Sequence, residues 1–450
     1  MTLPLDPPGF RHDVAGTSAA DWDRHLGAGE PLARDLTAYS RVVVVAAHPD
    51  DESLGAGGLM ATAAAQGLEV ALVLCTLGEA SHPDSPTHTP ERLAALRHGE
   101  AVAALAELAP GATPRVLGLP DGGVTAGEDA LARRLVEVVG DGRDTLLVAP
   151  WRRDGHPDHD AAGRAAATAA ARTGATLWEY PVWAWHWGRP DDAPWSHLHR
   201  LELGAVALGA KQRAMAAHAS QVAPLSAQPG DETLLRPDLL AHFARPSEHF
   251  VLEPLVDDAL DDLHADGADP WGADSRWYER RKRALLLAAL PRDRFERGLE
   301  VGASRGALAR DLAARCDSLL ALEQGAQAAS AAREQLAALR HVEVRRASVP
   351  DEWPDGRFDL VVVSEVGYFL SPSALDGLVD RLSGSLTNDG VVVLCHWRHP
   401  VDGWVLDGPD VHAVVRAAAE RSALPPVAAS YVDRDVELLV LARDWPEPTR

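Results

Sequence analysis

"RVVVVAAHPDDESLGAGG" occupies Arg41 to Gly58. Its first half is an unbroken β-branched run, the pattern of a strand buried on both faces. Its second half delivers His48, Asp50, Asp51 and Glu52, and then a glycine-bearing helical pattern over Ser53 to Gln66. A strand that passes through a charged turn straight into a helix is the entry to a parallel, helix-covered sheet. The same texture repeats outward. "EVALVLCTL", "PRVLGL" and "TLLVAP" read as strands, and "PERLAALRHGEAVAALAEL", "ALARRLVEVV" and "HDAAGRAAATAAAR" as the helices between them. Ligands in such sheets bind beyond the carboxyl ends of the strands, which is where "HPDDE" falls.

At 450 residues the chain is long enough for two domains. The texture changes from Glu253, where the acidic, Gly- and Pro-bearing "EPLVDDALDDLHADGADPWGADS" reads as a connector. A second βα series then opens at "RGLEVGASRG" and continues through "SLLALE", "VEVRRAS", "FDLVVVSEV", "GVVVLCHW" and "DVELLVLAR". The expected division is an arm at 1–40, a domain at 41–255, a connector at 256–270 and a second domain at 271–450. The fold class is α/β throughout, with two doubly wound sheets. A net charge of -23 disfavours nucleic acid and anionic membranes as partners. Cys75, Cys316 and Cys395 lie far apart, against a disulfide framework or a cysteine-based zinc site and in keeping with a reducing compartment. Neither a signal peptide nor a membrane span is evident, so a cytoplasmic protein acting on a small molecule is expected.

Two strand ends carry the chemistry of the first domain. One holds His48, Asp50 and Asp51; the other, after "TLLVAP", holds His156, Asp158, His159 and Asp160. Parallel strands can bring both over one crevice. Asp and Pro favour turns on their own account, but two such clusters at matching strand ends point beyond turn chemistry. Two histidines and one carboxylate with an open position suit a hydrolytic zinc; the same face also suits ferrous iron. A nearby free carboxylate can take a proton from water and deliver it to a leaving group.

"AHPDDE" at Ala47 to Glu52 and "HPDHDAAG" at His156 to Gly163 resemble the LmbE/PIG-L family of N-acetylglucosaminyl deacetylases. "TLGEASH" (Thr76 to His82), "LGLPDG" (Leu117 to Gly122) and "KQRAMAAHASQ" (Lys211 to Gln221) extend the likeness over roughly residues 41–253. The resemblance implies a Rossmann-like fold, with His48, Asp51 and His159 as metal ligands. It implies Asp50 as general base, His156 as stabiliser of the oxyanion, and Asp158 orienting His156 from behind. The implied substrate is an N-acetylated amino sugar or a conjugate of one. Glu79 and Arg97 either reach that substrate or pair with each other; His218, Ser220 and Gln221 cap, pack or touch sugar. "YPVWAWHW" at Tyr180 to Trp187 reads as a strand that alternates aromatics into the core, or as a stacking surface for sugar.

In the second domain "GLEVGASRGALARDLAARC" runs strand, glycine loop, helix, and Glu323 ends the next strand. Gly302 and Gly306 are expected to let the backbone approach a ligand, and Glu323 to bond ribose hydroxyls. The GxxxG spacing lacks the GxGxxG pyrophosphate fingerprint, which favours a cofactor without a pyrophosphate over a dinucleotide. "DPWGADSRWYERRK", "LEVGASRG", "FDLVVVSEVGYFLS" and "DGVVVLCHWRHP" make residues 268–445 similar to class I S-adenosylmethionine-dependent methyltransferases of the NodS-like group. The resemblance implies S-adenosylmethionine as cofactor, held by Glu300, Gly302, Ser304, Gly306, Glu323 and Ser364. It makes Asp359 structural and places Ser364, Glu365 and Tyr368 at the methyl acceptor. On chemical grounds Glu365 is the candidate catalytic group, and His396 or His399 could equally accept the amine proton or hold it in place. Ser348 stands where many relatives have an aspartate near the adenine. Trp271, Trp277 and Tyr278 close over the cofactor or staple the connector helix.

Together these expectations describe a bifunctional enzyme: N-deacetylation of an amino sugar or glycoside, then N-methylation of the freed amine. The alternatives are a methyltransferase half that acts on oxygen or on another metabolite, one that only senses S-adenosylmethionine, and a carbohydrate-binding scaffold, against which the intact ligand set argues.

Overall fold

The computed structural model describes residues 16–26, 36–255, 257, 260, 263, 264 and 269–445. The expected arm and acidic connector fall largely outside them. The chain divides into two compact units, Met1–Val256 and Asp257–Arg450, each built on a seven-stranded sheet.

The first sheet comprises β1 (Arg41–Ala46), β2 (Glu69–Leu74), β3 (Arg115–Val116), β4 (Thr145–Pro150), β5 (Thr176–Tyr180), β6 (Leu198–Glu202) and β7 (Ser247–Val251), in the order β3-β2-β1-β4-β5-β7-β6. Val42 to Val45 of β1 are fully buried, each worth roughly 1.5–3 kcal/mol of transfer free energy. β1 lies parallel between β2 and β4, with Val42 beside Val70 and Leu146. The chain winds outward through β2 and β3, then returns to β4 on the other side. The reversal between β1 and β4 opens a crevice at their carboxyl ends. Antiparallel β7 and β6 complete the sheet beyond β5.

Several local expectations change. "PRVLGL" yields only the two-residue β3, and the helix expected over Ser53 to Gln66 is two, Asp51–Gly55 and Gly57–Ala65, broken at Ala56 where φ is -137°. The aromatic strand stops at Tyr180, whose hydroxyl donates to Val45 O at 2.7 Å. "AWHW" then forms a helical turn, Ala184–Trp187. Trp185 packs edge-on against Trp22 of the helix Ala19–Leu26, and Trp22 Nε1 donates to Trp185 O at 2.7 Å.

The second sheet comprises β8 (Phe295–Val301), β9 (Cys316–Glu323), β10 (Val342–Arg346), β11 (Phe358–Ser364), β12 (Leu386–Trp397), β13 (Val427–Val432) and β14 (Val436–Leu441), in the order β10-β9-β8-β11-β12-β14-β13. It is parallel through β12; β14 and β13 add antiparallel. β11 is buried along its whole length, and Asp359 near its start accepts from the Glu296 and Arg297 amides at 2.9 and 2.8 Å, a structural tie between β11 and β8. Among the described residues no helix is long and apolar enough to cross a membrane.

Candidate functional site

β1 ends two residues before His48, and Asp51 opens the helix Asp51–Gly55. β4 ends before "WRRDGHPDH", where His156 caps the helix Pro157–Thr173 and its Nδ1 accepts from the Asp158 amide at 3.2 Å. Asp158 and His159 therefore lie in the first turn of that helix, over the β1/β4 reversal. His48 Nδ1 and His159 Nε2 stand 3.3 Å apart. An Asp51 oxygen lies 3.2 Å from His159 Nε2, and the other 3.7 Å from His48 Nδ1. All three residues are at least nine-tenths buried.

The outer nitrogens explain this convergence. His48 Nε2 faces Asp121 at 3.1 Å and Asp158 at 3.3 Å, while His159 Nδ1 faces Asp154 at 2.8 Å. Each ring thus donates its outer N–H to a carboxylate and aims its other nitrogen inward, so that a bound cation, by displacing the inner proton, would meet the second-layer arrangement of metal-binding histidines. Asp158 is fixed by the Gly122 and Val124 amides, at 2.8 and 3.1 Å, and Asp154 by the amides of Val182, Trp183 and Ala184. Burial works against charge at His48, yet Asp121, Asp158 and Asp51 outweigh it and hold the imidazolium up to about 9. Burial also opposes ionisation of Asp51, but His159 and His48 keep its carboxyl well below the usual range. Two inward imidazole nitrogens, which give up their protons when a metal binds, and an ionised carboxylate among further acids fit a divalent cation.

Asp158 corrects one expectation. Its carboxylate stands behind His48, not behind His156, which it meets through its backbone amide. His156 sits with its ring centre 4.9 Å from His48 and 4.7 Å from His159. Asp50 is next to the cluster; Arg97 Nη2 reaches its carboxylate at 3.2 Å and Pro49 O at 2.7 Å. Arg97 therefore grips the Asp50 turn. Glu79 pairs elsewhere, accepting from the Asp121 amide at 3.0 Å. Asp160 accepts from the Gly155 amide at 2.9 Å. His218 contacts Ser53 and Glu52, and Ser220 bonds Glu100. Trp183 stacks on Trp187 at 5.2 Å and 18°, and Trp187 lies against Gly155. Sequence reasoning assigned no role to Asp121 or Asp154; both stand in loops beyond strand ends, in "LPDG" and "RRDGHPDH", and that position is the signal that could have found them.

In the second unit a cavity at the β8/β11 reversal is lined by Glu300, Gly302, Ser304, Ser364, Glu365 and Tyr368, among others. Gly302 has φ +77°, and a Cβ there would lie 1.9 Å from Val366 Cγ2. Gly306 has φ +86°, but its missing Cβ makes room for Leu336 at 2.9 Å. Gly306 therefore serves helix packing. Glu323 is engaged by the amides of Ser304 (2.7 Å) and Gly325 (2.8 Å). Glu365, at φ +58°, takes the Tyr368 hydroxyl and lies 3.3 Å from Lys282 Nζ and 3.4 Å from the Tyr278 hydroxyl. His396 is fully buried, and both ring nitrogens are engaged: its Nε2 accepts from the Gly367 amide at 3.2 Å and its Nδ1 meets His412 at 3.1 Å. His399 pairs with Asp435 at 2.9 Å, both partly exposed. Trp271 lines the cavity; Trp277 is two-thirds exposed, and Tyr278 packs edge-on against Trp397. The Ser348 amide donates to Glu352 at 2.7 Å.

Glu300 is fully buried with Oε2 unpartnered, and burial beside Glu323 pushes its carboxyl up to about 8. A carboxyl raised from 4.5 in this way stabilises the fold while protonated. Its contribution is whole below pH 4.5 and is lost as pH rises through 8. Protection of the β8 amides against hydrogen exchange should accordingly fall between about pH 5 and about pH 8.5, and Glu300→Gln should flatten that fall.

A family model described as GlcNAc-PI de-N-acetylase matches residues 43–170, and one described as Nodulation protein S (NodS) matches residues 256–405. The 1D-myo-inositol 2-acetamido-2-deoxy-alpha-D-glucopyranoside deacetylase of Rhodococcus opacus (strain B4) is 31% identical over 288 residues, covering 51% of this chain and 96% of that protein. Its namesake from Streptomyces avermitilis is 43% identical over 156 residues, 29% of this chain, so the match spans about half (52%) of that relative's length. The structure of the N-methyltransferase NodS from Bradyrhizobium japonicum WM9 in complex with S-adenosyl-L-homocysteine is 21% identical, with 41% of this chain and 96% of that chain covered and a TM-score of 0.37. Matched along nearly the full length of one such deacetylase in its first unit and by the NodS model in its second, the chain belongs to the PIG-L (LmbE) deacetylase family and carries a NodS-like methyltransferase unit behind it.

Proposed function

We propose that the first unit removes the acetyl group from an N-acetylglucosaminide and that the second transfers a methyl group from S-adenosylmethionine to the amine so released. The observation that carries the deacetylation is the convergence of His48 Nδ1, His159 Nε2 and the Asp51 carboxylate, with both outer imidazole nitrogens on carboxylates. His48, Asp51 and His159 would hold zinc, a donor set that ferrous iron also suits. Such an ion, when bound, supplies Lewis-acid chemistry and a water acidic enough to attack at neutral pH.

The remaining work falls to side chains. Asp50, steadied by Arg97, takes the proton of the attacking water and returns it to the departing nitrogen. His156 accepts from the Asp158 amide at Nδ1, which leaves its proton on Nε2 to donate to the developing oxyanion. Asp158 holds His48 in the tautomer that the ligand role requires. In the second unit Glu300, Gly302, Ser304 and Ser364 border the cofactor cavity, Glu323 braces its loop, and Glu365 orients the acceptor amine. Methyl transfer from a sulfonium asks mainly for alignment of a neutral nitrogen.

The order follows from bonding: an amide lone pair is delocalised into its carbonyl, so methylation waits for deacetylation. Full-length protein given an N-acetylglucosaminide and methyl-labelled S-adenosylmethionine should release acetate and place label on nitrogen. Label on oxygen overturns the N-methylation, and label without acetate release overturns the sequence.

A further inference from the structure

Asp50 carries a side chain at φ +131° and ψ -29°, a backbone region that favours glycine. Such an outlier persists only where its surroundings over-determine it. Here the Asp50 amide donates to Glu52 Oε2 at 3.1 Å. Glu52 is fully buried, and its other oxygen accepts from Ser53 Oγ at 2.8 Å and lies 3.3 Å from His218 Nε2. His218 stands at the junction of the helices Ala205–Ala217 and Ala219–Val222. Glu100 pins that junction by accepting from the Ser220 amide and hydroxyl at 2.8 and 2.6 Å. Glu100 belongs to the helix Pro90–Leu108, and so does Arg97, which grips the Asp50 carboxylate. One helix thus secures Asp50 from both ends: through Arg97 at the side chain, and through Glu100, His218 and Glu52 at the amide.

We infer that Glu52, braced by Ser53 and His218, is a positioning residue that keeps Asp50 in its strained backbone and so points the Asp50 carboxylate at the reacting atoms. Glu52 touches neither substrate nor metal in this assignment, which rests on Asp50 acting as the base. Both of its oxygens already have protein partners.

The test uses the full-length, metal-loaded protein. Glu52→Ala should lower kcat for acetate release about 10- to 100-fold, with KM and bound-metal content unchanged. Glu52→Gln, which keeps an acceptor oxygen for the Asp50 amide, should recover most of the loss. In an Asp50→Asn background, Glu52→Ala should cost about threefold or less, because the two act as one unit. A crystal structure of Glu52→Ala should show residue 50 relaxed from its positive φ. Unchanged kcat, a loss that multiplies fully onto Asp50→Asn, a loss that tracks missing metal, or a residue 50 still at φ near +131° overturns the inference. If Asp50→Asn alone leaves acetate release intact, the base assignment fails instead, and the φ of residue 50 still decides whether Glu52 holds it. Should Glu52→Ala not fold, Ser53→Ala loosens the same carboxylate; a loss of about threefold to tenfold in kcat is expected, and no loss overturns the inference.

Discussion

Asp50→Asn in the full-length protein is expected to lower acetate release about 10²- to 10⁴-fold, the span that a positioned general base supplies. In free energy that is about 3–5.5 kcal/mol of barrier. Methylation of a supplied glucosaminide should be untouched, because Asp50 belongs to the first unit and the proposed cofactor cavity to the second. Asparagine preserves the volume of the side chain and an oxygen for Arg97 Nη2, now 3.2 Å from the carboxylate. It also tolerates positive φ better than most residues. The fold should survive, and the loss should appear in kcat with little change in KM. Bound metal, measured by elemental analysis, should stay constant, since the proposed ligand atoms belong to His48, Asp51 and His159. A deacetylation rate within about threefold of wild type would leave the barrier almost unchanged and would remove Asp50 from the role of base.

The sequence made the two poles of this site legible because each lies within a few residues of a buried strand. β1 and β4 are apolar runs, and the polar residues that follow them stand out. The supporting carboxylates are harder to see. Asp121 follows a strand of only two residues, and Asp154 lies in a turn where aspartate is ordinary. Their importance comes from three-dimensional pairing with His48 and His159, which no local pattern encodes. Edge strands escaped for a related reason: "LHRLE" in β6 and the largely exposed β13 lack the apolar run that marks a central strand. Glu52 was visible in the opening motif, yet its contact with the Asp50 amide depends on a backbone conformation that the sequence does not announce. Gly306 was legible as a special position; the structure adds a packing cause, the close approach of Leu336 at a positive φ.

Gly302→Asp is expected to abolish methyl transfer, by at least about 100-fold, while acetate release continues. Three effects act together at this position. The backbone is at φ +77°, and a Cβ would fall 1.9 Å from Val366 Cγ2; a side chain there costs about 1–3 kcal/mol in backbone strain alone. A γ-methyl on a β-branched residue has few rotamers into which to withdraw, so the loop or Val366 must shift. Val366 follows Glu365, and displacement would disturb the cavity wall at Glu365, proposed to meet the acceptor, together with the loop after β8 proposed to hold the cofactor. The aspartate would also bring a further negative charge to a cavity already bordered by Glu300 and Glu365, where burial makes ionisation of Glu300 unfavourable. Gly302→Ala separates the steric from the electrostatic part, and Val366→Ala in that background removes most of the clash while leaving the φ requirement. Binding of S-adenosylhomocysteine by calorimetry should therefore weaken in the order Gly302→Ala with Val366→Ala, Gly302→Ala, Gly302→Asp. Equal binding by all three variants and wild type would mean that the loop after β8 does not hold the cofactor. In that case the label in the coupled assay would have to come from a site other than the one Glu300 and Ser304 border.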